Sequence, residues 1–369
     1  MSSASPVSGA EFNCYDALLV VSFGGPERPE DVQPFLENVT RGKNIPHERL
    51  LEVVKHYELF DGRSPLNDQL RAMLTNLLAE LNAHGPRMAV YWGNRFWHPF
   101  LTDAVAQMAG DGIRRALAFV TSAFGSYPGC RAYLEDIELA RKNVGPSAPH
   151  IDKLRLYYNH PEFIEAWAER TLAALKELSP EEPQPARVVF TAHSLPISLA
   201  RSAPFERQLL ESCRLVWERI KQPTQTVNFP DVSASQDDVR AFVTGWDLAY
   251  QSRSGPQDQA WLEPDVAECL RRLHAEGVGN VVIVPIGFLG ESMEIIYDLD
   301  IAIFRMCESM GLNMVRAATI GNHPRLTKLI RSLVLERLDP TAERSALGQD
   351  GPWPDCCPAE CCLTTNKAE

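Results

Sequence analysis

Short apolar runs alternate with amphipathic segments along the first half of the chain. The runs at 17–23, 87–96 and 114–124 are rich in Ala, Val, Leu and Phe and predict buried strands. Between them, apolar residues recur at helical spacing in 64–85 and 98–112. The order β, α, β, α, β predicts a parallel sheet with crossover helices.

The helix predicted at 64–85 carries start and stop signals. Ser64 or Asn67 is expected to cap its first turn, because both side chains can accept a hydrogen bond from a backbone N–H. Gly85 is expected to end it, since glycine commonly follows the last helical residue.

The second half repeats this organisation. Helices are predicted at 161–178, 265–277 and 326–338, and strands at 186–196 and 280–288. The segments 107–126 and 272–292 share one plan, in which a helix end, a glycine turn and a buried strand precede Phe, Gly and Ser. This echo indicates two similar α/β halves, although any protein built of βαβ units produces such echoes.

The length and the repeat together predict an α/β protein with two similar doubly wound, Rossmann-like domains. A single hydrophobic core rarely extends over 369 residues. The expected division is a disordered lead at 1–14, an N-terminal domain at 15–160, a C-terminal domain at 161–340 and a cysteine-rich tail at 341–369. The last predicted helix could pack back on the first domain.

Charge and targeting signals narrow the class of protein. The net charge of -12 argues against a general nucleic-acid binder, because such proteins need a basic surface. No segment approaches the roughly 18–20 apolar residues of a membrane span, although contact with a membrane surface stays open. The first residues lack the basic and apolar regions of a secretory signal. We expect a cytoplasmic protein, either a monomer or a homodimer.

Two polar groups follow predicted strands of the second half. His193 comes at the end of one strand, and Glu294 and Asp298 follow another at i, i+4 spacing, so they share a helix face. Ligands of open α/β sheets bind at the carboxyl ends of strands, so these residues are candidates for a metal path or proton transfer. A histidine bonded to a neighbouring loop and a solvated acidic helix start are the plain alternatives. No P-loop, G-x-G-x-x-G or G-x-S-x-G motif is present.

Four of the nine cysteines crowd the C-terminus, at Cys356, Cys357, Cys361 and Cys362. Disulfides are rare in the cytoplasm, so clustered thiols there more often bind metal or perform redox chemistry. A tail with free thiols is the alternative.

Seven motifs, in order, resemble those of the ferrochelatases, which insert ferrous iron into a porphyrin. The resemblance covers about 16–338. The motifs are "LLVVSFGGPERPEDVQPFLENV", "GRSPLNDQ", "YWGNRFWHPF", "TSAFGSYPGCRAYLEDI", "TAHSLP", "YQSRSGPQDQAWLEPDV" and "PIGFLGESMEIIYDLD". The versions "SFGGPE", "SPLNDQ" and "SYPGCR" look most like the branch that acts on coproporphyrin, with protoporphyrin as the second choice.

The resemblance implies a porphyrin cleft between the two domains and assigns roles to particular residues. His193 matches the active-site histidine and Glu294 the active-site glutamate across the porphyrin, while Asp298 continues the acidic face. These types of side chain hold Fe²⁺ without locking it and can accept the two pyrrole protons. Side chains near the cleft are candidates for porphyrin contacts and propionate binding: Phe23, Arg41, Lys43, Ser64 and Tyr127. Ordinary surface charge competes as the explanation for the two basic residues.

The chain departs from the family pattern at three positions. Ser292 stands where a histidine is common, Ala302 where an acid often continues the acidic face, and Phe23 where many coproporphyrin enzymes have a tyrosine. The first two departures concern the route of metal or protons. The third means that no axial oxygen ligand comes from that place.

The resemblance also accounts for the cysteines, because some ferrochelatases carry a [2Fe–2S] cluster. One ligand comes from the "SYPGCR" stretch, which makes it Cys130, and three come from the tail. Four thiolates meet the need of such a cluster. Cys357, Cys361 and Cys362 are the favoured tail ligands, with Cys356 as the alternate. A structural zinc site is the second interpretation.

Two other functions compete with the ferrochelatase hypothesis. A cobalt or nickel chelatase for a sirohydrochlorin-type ring would share the fold, but those enzymes lack the "GNRFWHPF" and "WLEPD" segments. A non-catalytic porphyrin, haem or iron–sulfur sensor would accord with Ser292 and Ala302.

Overall fold

The computed structural model describes residues 15–42, 47–178, 185–222, 242–255 and 258–364. The expected lead at 1–14 therefore lies outside the described residues. The elements of the first half are β1 (Ala17–Ser22), α1 (Pro29–Thr40), α2 (His47–Glu58), α3 (Leu66–His84), β2 (Ala89–Asn94), α4 (Leu101–Gly110), β3 (Arg115–Val120), a π-helix (Tyr127–Arg131), α5 (Ala132–Val144) and β4 (His150–Lys153).

The second half has the same alternation. Its elements are α6 (Pro161–Glu177), β5 (Ala186–His193), α7 (Ile197–Arg201), α8 (Phe205–Lys221), β6 (Val243–Gln251), α9 (Val266–Ala275), β7 (Asn280–Val284), α10 (Met293–Ile296), a second π-helix (Asp298–Ile303), α11 (Phe304–Met310), β8 (Asn313–Arg316) and α12 (Pro324–Leu338).

Each half contains one four-stranded parallel sheet, and the two sheets have equivalent topology. The strand orders are β2-β1-β3-β4 and β6-β5-β7-β8. The chain therefore turns to one side of β1 and then to the other, and does the same around β5. The predicted doubly wound α/β fold is confirmed. In such sheets the ligand crevice lies where the winding reverses, at the carboxyl ends of the strands.

One hydrophobic cluster extends across both halves of the molecule. It contains Leu18 and Phe119 from the first sheet, Phe190 and Val282 from the second, and Trp167 of α6. The last helix, α12, packs against both α3 and α6. Among the described residues, no helix combines the length and the apolar character that a membrane span needs.

One of the two residues expected to cap α3 does not do so. The helix begins at Leu66, whose backbone N–H donates to Ser64 Oγ at 3.4 Å, while the N-cap residue Pro65 makes no side-chain bond. Asn67 lies inside the first turn, where its buried amide donates to the carbonyl of Gly25 at 3.1 Å and to Glu27 Oε1 at 2.8 Å. This side chain holds the turn after β1 in place of capping the helix. The predicted stop at Gly85 is confirmed, since its N–H closes the last turn on Leu81 O at 2.8 Å.

The acidic helix after β7 also begins later than expected. The sequence predicts a start near Glu291, whereas α10 starts at Met293 and is followed by the π-helix from Asp298. The side chain of Glu291 instead accepts from Thr319 N at 3.0 Å and pairs with Arg316 at 3.3 Å. Widened turns of this kind occur frequently at functional sites.

Candidate functional site

His193 is the last residue of β5, the strand at which the second sheet reverses its winding. Its ring Nδ1 lies 2.6 Å from the carbonyl oxygen of Ser194. A carbonyl can only accept, so this contact places a proton on Nδ1 and leaves the Nε2 lone pair for a metal ion or a proton. The half-buried imidazole therefore has its tautomer set by its own backbone.

Glu294 reaches the same edge of the sheet from α10. The amide Nε2 of Gln251 donates to the backbone oxygen of Glu294 at 2.5 Å. Gln251 ends β6 and is the register partner of His193 in β5. Gln251 thus links the two elements: its backbone pairs with the histidine strand, and its side chain binds the glutamate helix.

Asp298 begins the π-helix that follows α10. Its Oδ2 accepts a hydrogen bond from the hydroxyl of Ser252, the residue directly after β6. The structure therefore brings all three predicted metal residues, His193, Glu294 and Asp298, to elements that meet at the ends of β5, β6 and β7.

An apolar wall lies beside the acidic helix. It joins α1 and α2 to α10 and to the turns after β1 and β2, and it consists of Phe23, Val32, Phe35, Leu36, Val39, Leu50, Val53, Val54, Tyr57, Phe60, Phe96, Trp97, Met293, Ile296 and Tyr297. Phe23 contacts Phe96 and Phe35, with ring centroids 4.6 and 6.2 Å apart. A wall of this size and aromatic content suits a flat apolar ligand.

Two residues of α2 tie this wall to the acidic helix. The ring of His56 stacks on Tyr297 with centroids 3.6 Å apart. Burial raises the pKa of the Tyr57 hydroxyl well above its usual value, and the negative charge of Glu294 raises it further. The Glu294 carboxylate therefore lies near enough to Tyr57 for its charge to act on the phenol.

The predicted porphyrin-binding polar residues are more dispersed. Arg41 is exposed and donates to Asn38 Oδ1 at 2.6 Å. The hydroxyl of Tyr127 donates to Glu135 at 3.0 Å, and Ser64 is buried against the turn after β1. Lys43 lies outside the described residues. Only Phe23 of the predicted set belongs to the wall beside Glu294.

Four thiols of the tail and the body lie close together. Cys361 Sγ is 3.4 Å from Cys362 Sγ. Burial raises the pKa of the Cys130 thiol, and Cys357 raises it further, whereas Lys153 opposes the change. Cys361 and Cys362 are likewise affected by both Cys357 and Cys130. Cys356 is exposed and outside this group.

Body residues hold the tail in place. Between 339 and 364 the chain forms turns without a helix or strand. Asn159 donates to the carbonyls of Leu347 and Gly351, and Arg131 donates to the Cys361 carbonyl at 3.2 Å. In the same region Cys362 N donates to Ser202 O at 3.2 Å. The thiol group is therefore attached to both halves of the molecule.

Across the residues with described positions, no three His, Cys, Asp or Glu side chains are spaced to enclose one metal ion. This holds for His193, Glu294 and Asp298 and also for the four thiols.

The residues that join the site together are not predicted from the sequence. Gln251 and Ser252 lie in the motif "YQSRSGP", and Tyr57 and His56 lie in α2, where no pattern marks them as part of a site. The available signal was a polar pair at the end of an alternating segment, DLAYQS, which also marks the missed strand β6. Polar residues at a strand end are candidates for a site in this type of sheet.

Comparison with known proteins identifies the family of the chain. The family model described as ferrochelatase matches residues 15–338. A ferrochelatase of Rhodopirellula baltica is 45% identical over 97% of this chain and 96% of its own length. A coproporphyrin III ferrochelatase of Frankia alni is 46% identical over 99% of this chain and 90% of its own length. One from Streptomyces coelicolor is 44% identical, with 94% and 93% covered.

A solved structure supports the fold. SirB from Bacillus subtilis with Fe³⁺ superposes with a TM-score of 0.52 at 14% sequence identity, over 90% of this chain and 99% of that one. At that identity the similarity concerns architecture alone. The family match and the sequence identities show that the chain belongs to the ferrochelatase family and is a metal chelatase.

Proposed function

We propose that the protein inserts Fe²⁺ into coproporphyrin III to give coproheme. The observation that carries this proposal is the Gln251 contact, which ties the Glu294 helix to the end of β6, directly beside His193 at the end of β5. Support for the substrate comes from relatives in Frankia and Streptomyces that are named coproporphyrin III ferrochelatases. Protoporphyrin is the second candidate.

The chemistry requires three things of the protein. It must hold a partly dehydrated Fe²⁺ ion weakly, accept two pyrrole protons and bind the macrocycle in a geometry that favours metallation. We assign iron and proton handling to His193, Glu294 and Asp298. The Nε2 lone pair of His193 and the Glu294 carboxylate are the groups suited to accept protons.

The apolar wall would pack against the ring, with Phe23 as one of its contacts. The carboxylates of the substrate call for basic or hydroxyl partners, and we assign this role to Arg41, Lys43, Ser64 and Tyr127. For Tyr127 this requires that the hydroxyl exchange its present partner, Glu135. We expect the protein to act in the cytoplasm, as a monomer or homodimer.

Turnover of site variants tests the assignment. Under anaerobic conditions, coproporphyrin III and Fe²⁺ are mixed with the wild type and the loss of free porphyrin bands is followed. His193→Ala and Glu294→Gln should each lose turnover, while His84→Ala, which changes an exposed histidine, should keep it. Turnover with protoporphyrin but not with coproporphyrin III would make protoporphyrin the substrate. Binding of both porphyrins without turnover would favour the sensor function.

We further propose a [2Fe–2S] cluster on Cys130, Cys357, Cys361 and Cys362. The four thiols fit in number and are close enough to affect one another's pKa values. Their excess negative charge would face Lys153, which interacts with Cys130. When bound, the cluster would cross-link the tail to the body and could exchange one electron.

Absorption and metal content test the cluster. Cys130→Ser should abolish visible absorption and lower the urea midpoint of unfolding, because the tail would lose its link to the body. Cys356→Ser should change neither. A colourless wild type that contains one zinc ion per chain would replace the cluster with a zinc site. A colourless protein without bound metal would support the alternative in which the tail cysteines are free thiols.

A further inference from the structure

The turn that ends β6 contacts the acidic helix at two successive positions. The amide of Gln251 donates to the backbone oxygen of Glu294, and the hydroxyl of Ser252 donates to the carboxylate of Asp298. The two acids are therefore bound through neighbouring residues of one strand end. We refer to Gln251 and Ser252 together as the Gln251–Ser252 clamp.

The clamp is also fixed to His193. Gln251 pairs with His193 in the parallel register of β5 and β6, and its carbonyl accepts from Ser194 N at 2.8 Å. This carbonyl thereby fixes the turn that carries the Ser194 oxygen, which in turn binds the His193 ring. Backbone and side chain of one residue thus connect the histidine and Glu294.

Gln251 has few conformational alternatives. The residue is 1% exposed, and within the described part of the chain its Oε1 is buried without a hydrogen-bond partner. Its Nε2 donates to the Glu294 carbonyl of α10, a helix of a single turn. An orphaned buried oxygen costs free energy, so the benefit of this side chain must lie in the bond that its nitrogen makes.

Ser252 has an unfavourable backbone conformation. Its φ of 61° lies in the left-handed region, which serine rarely adopts and which glycine or asparagine accepts more readily. Strain of this kind costs free energy and persists where the surrounding structure enforces it, often at functional sites. The hydrogen bond from the Ser252 hydroxyl to Asp298 gives a reason for serine at a position that glycine would occupy with less strain.

We propose that the Gln251–Ser252 clamp positions Glu294 and Asp298 relative to His193 for binding of Fe²⁺. Neither clamp residue is a ligand in this proposal; both act through the acids they hold. The inference rests on the iron-binding role proposed above for these three residues. It assigns to Ser252 the orientation of the carboxylate and to Gln251 the position of the helix backbone.

Substitutions at Ser252 separate positioning from stability. Ser252→Gly removes the hydroxyl and also the backbone strain, so the folded state should be as stable as the wild type or more stable. Ser252→Asn tolerates the same backbone and supplies a donor, so it should restore function in part. Ser254→Gly, on the same loop and exposed, is the matched control. Gln251→Met tests the other half of the clamp.

Steady-state iron insertion is the first measurement. We expect Ser252→Gly to raise the KM for Fe²⁺ about tenfold or more, the effect of losing roughly one charge-assisted hydrogen bond. The KM for porphyrin should stay within about twofold, because the apolar wall, which provides most of the ring contact, is untouched. The urea midpoint should not fall. The KM of Ser252→Asn for Fe²⁺ should lie between those of Ser252→Gly and the wild type. Ser254→Gly should have the KM of the wild type.

Fe²⁺ binding without porphyrin, measured by anaerobic calorimetry, is the second measurement. The difference in Fe²⁺ affinity between the wild type and Asp298→Asn gives the contribution of this carboxylate. Ser252→Gly should lower the Fe²⁺ affinity by a similar factor. This readout does not depend on turnover, so a wild type without turnover would refute the proposed function and still test the clamp. Unchanged Fe²⁺ affinity and Fe²⁺ KM in Ser252→Gly would overturn the inference. Equal rises in both KM values with a lower urea midpoint would overturn it as well.

Discussion

The buried ion pair between Arg155 and Glu336 should make the fold sensitive to the loss of either partner. The guanidinium of Arg155, beyond β4, binds Glu336 of α12 through two parallel contacts of 2.7 and 2.8 Å. The two side chains are only 1% and 3% exposed. The same guanidinium donates to the carbonyls of Leu156 and Ser345, at 3.2 and 2.8 Å. Arg155 thus holds the last helix and the start of the tail together.

The substitution Arg155→Met removes one charge and leaves the other buried. Arg344 remains with its Nε 3.7 Å from Glu336, but this more exposed and longer contact offsets only part of the buried charge. Removing one partner of a buried pair costs about 3–5 kcal/mol, because an uncompensated charge remains in the interior. At about 1.4 kcal/mol for each factor of ten, the ratio of folded to unfolded protein should fall by roughly two to four orders of magnitude.

Urea unfolding followed by tryptophan fluorescence measures this loss. The matched control is Arg207→Met, which breaks the more exposed pair with Asp350 and should cost about 0–1 kcal/mol. In the double variant Arg155→Met/Glu336→Leu the buried charge is absent, so most of the stability should return. A single variant within about 1 kcal/mol of the wild type would refute the reasoning about the buried charge. A double variant as unstable as the single one would assign the loss to the carbonyls.

Three further substitutions follow from burial and close contacts. Gly287→Ala should reduce iron insertion strongly, because a Cβ there would lie 2.7 Å from Ala192 Cα, next to the histidine; intact turnover would contradict this. Burial lowers the pKa of His160 to about 3, so between that value and about 6.5 the unfolded chain binds one more proton and stability falls as pH falls. His160→Asn should remove up to about 1.4 kcal/mol per pH unit of that slope in urea titrations at several pH values, and an unchanged slope would oppose it. Leu77→Ala, at a site 0% exposed, should cost about 2–5 kcal/mol by urea unfolding. Leu78→Ala, on the exposed face of the same helix, should cost less than about 0.5 kcal/mol, and equal losses would argue against the burial of α3.

The architecture could be predicted because local patterns determine it. Buried runs such as 17–23 and 280–288 are short and lie between amphipathic segments, which favours strands between helices, and crossover connections between parallel strands have a preferred hand. Strand β6 escaped prediction because it lies at a sheet edge, where its middle residues are only half-buried and its apolar signal is weak. The start of α10 escaped prediction because Glu291 binds Arg316 and Thr319, which are distant in sequence.

The candidate site shows the same division between local signals and long-range contacts. His193, Glu294 and Asp298 could be selected from sequence, because each is a chemically suitable side chain near the end of a strand. Their partners could not, since Gln251 becomes a neighbour of Glu294 only when β6 adds to the free edge of β5. Nothing local in "YQSRSGP" tells whether Gln251 faces the sheet, the solvent or the acidic helix. The chain order of the strands therefore determines where ligands bind, while contacts across the assembled sheet determine how the binding side chains are held.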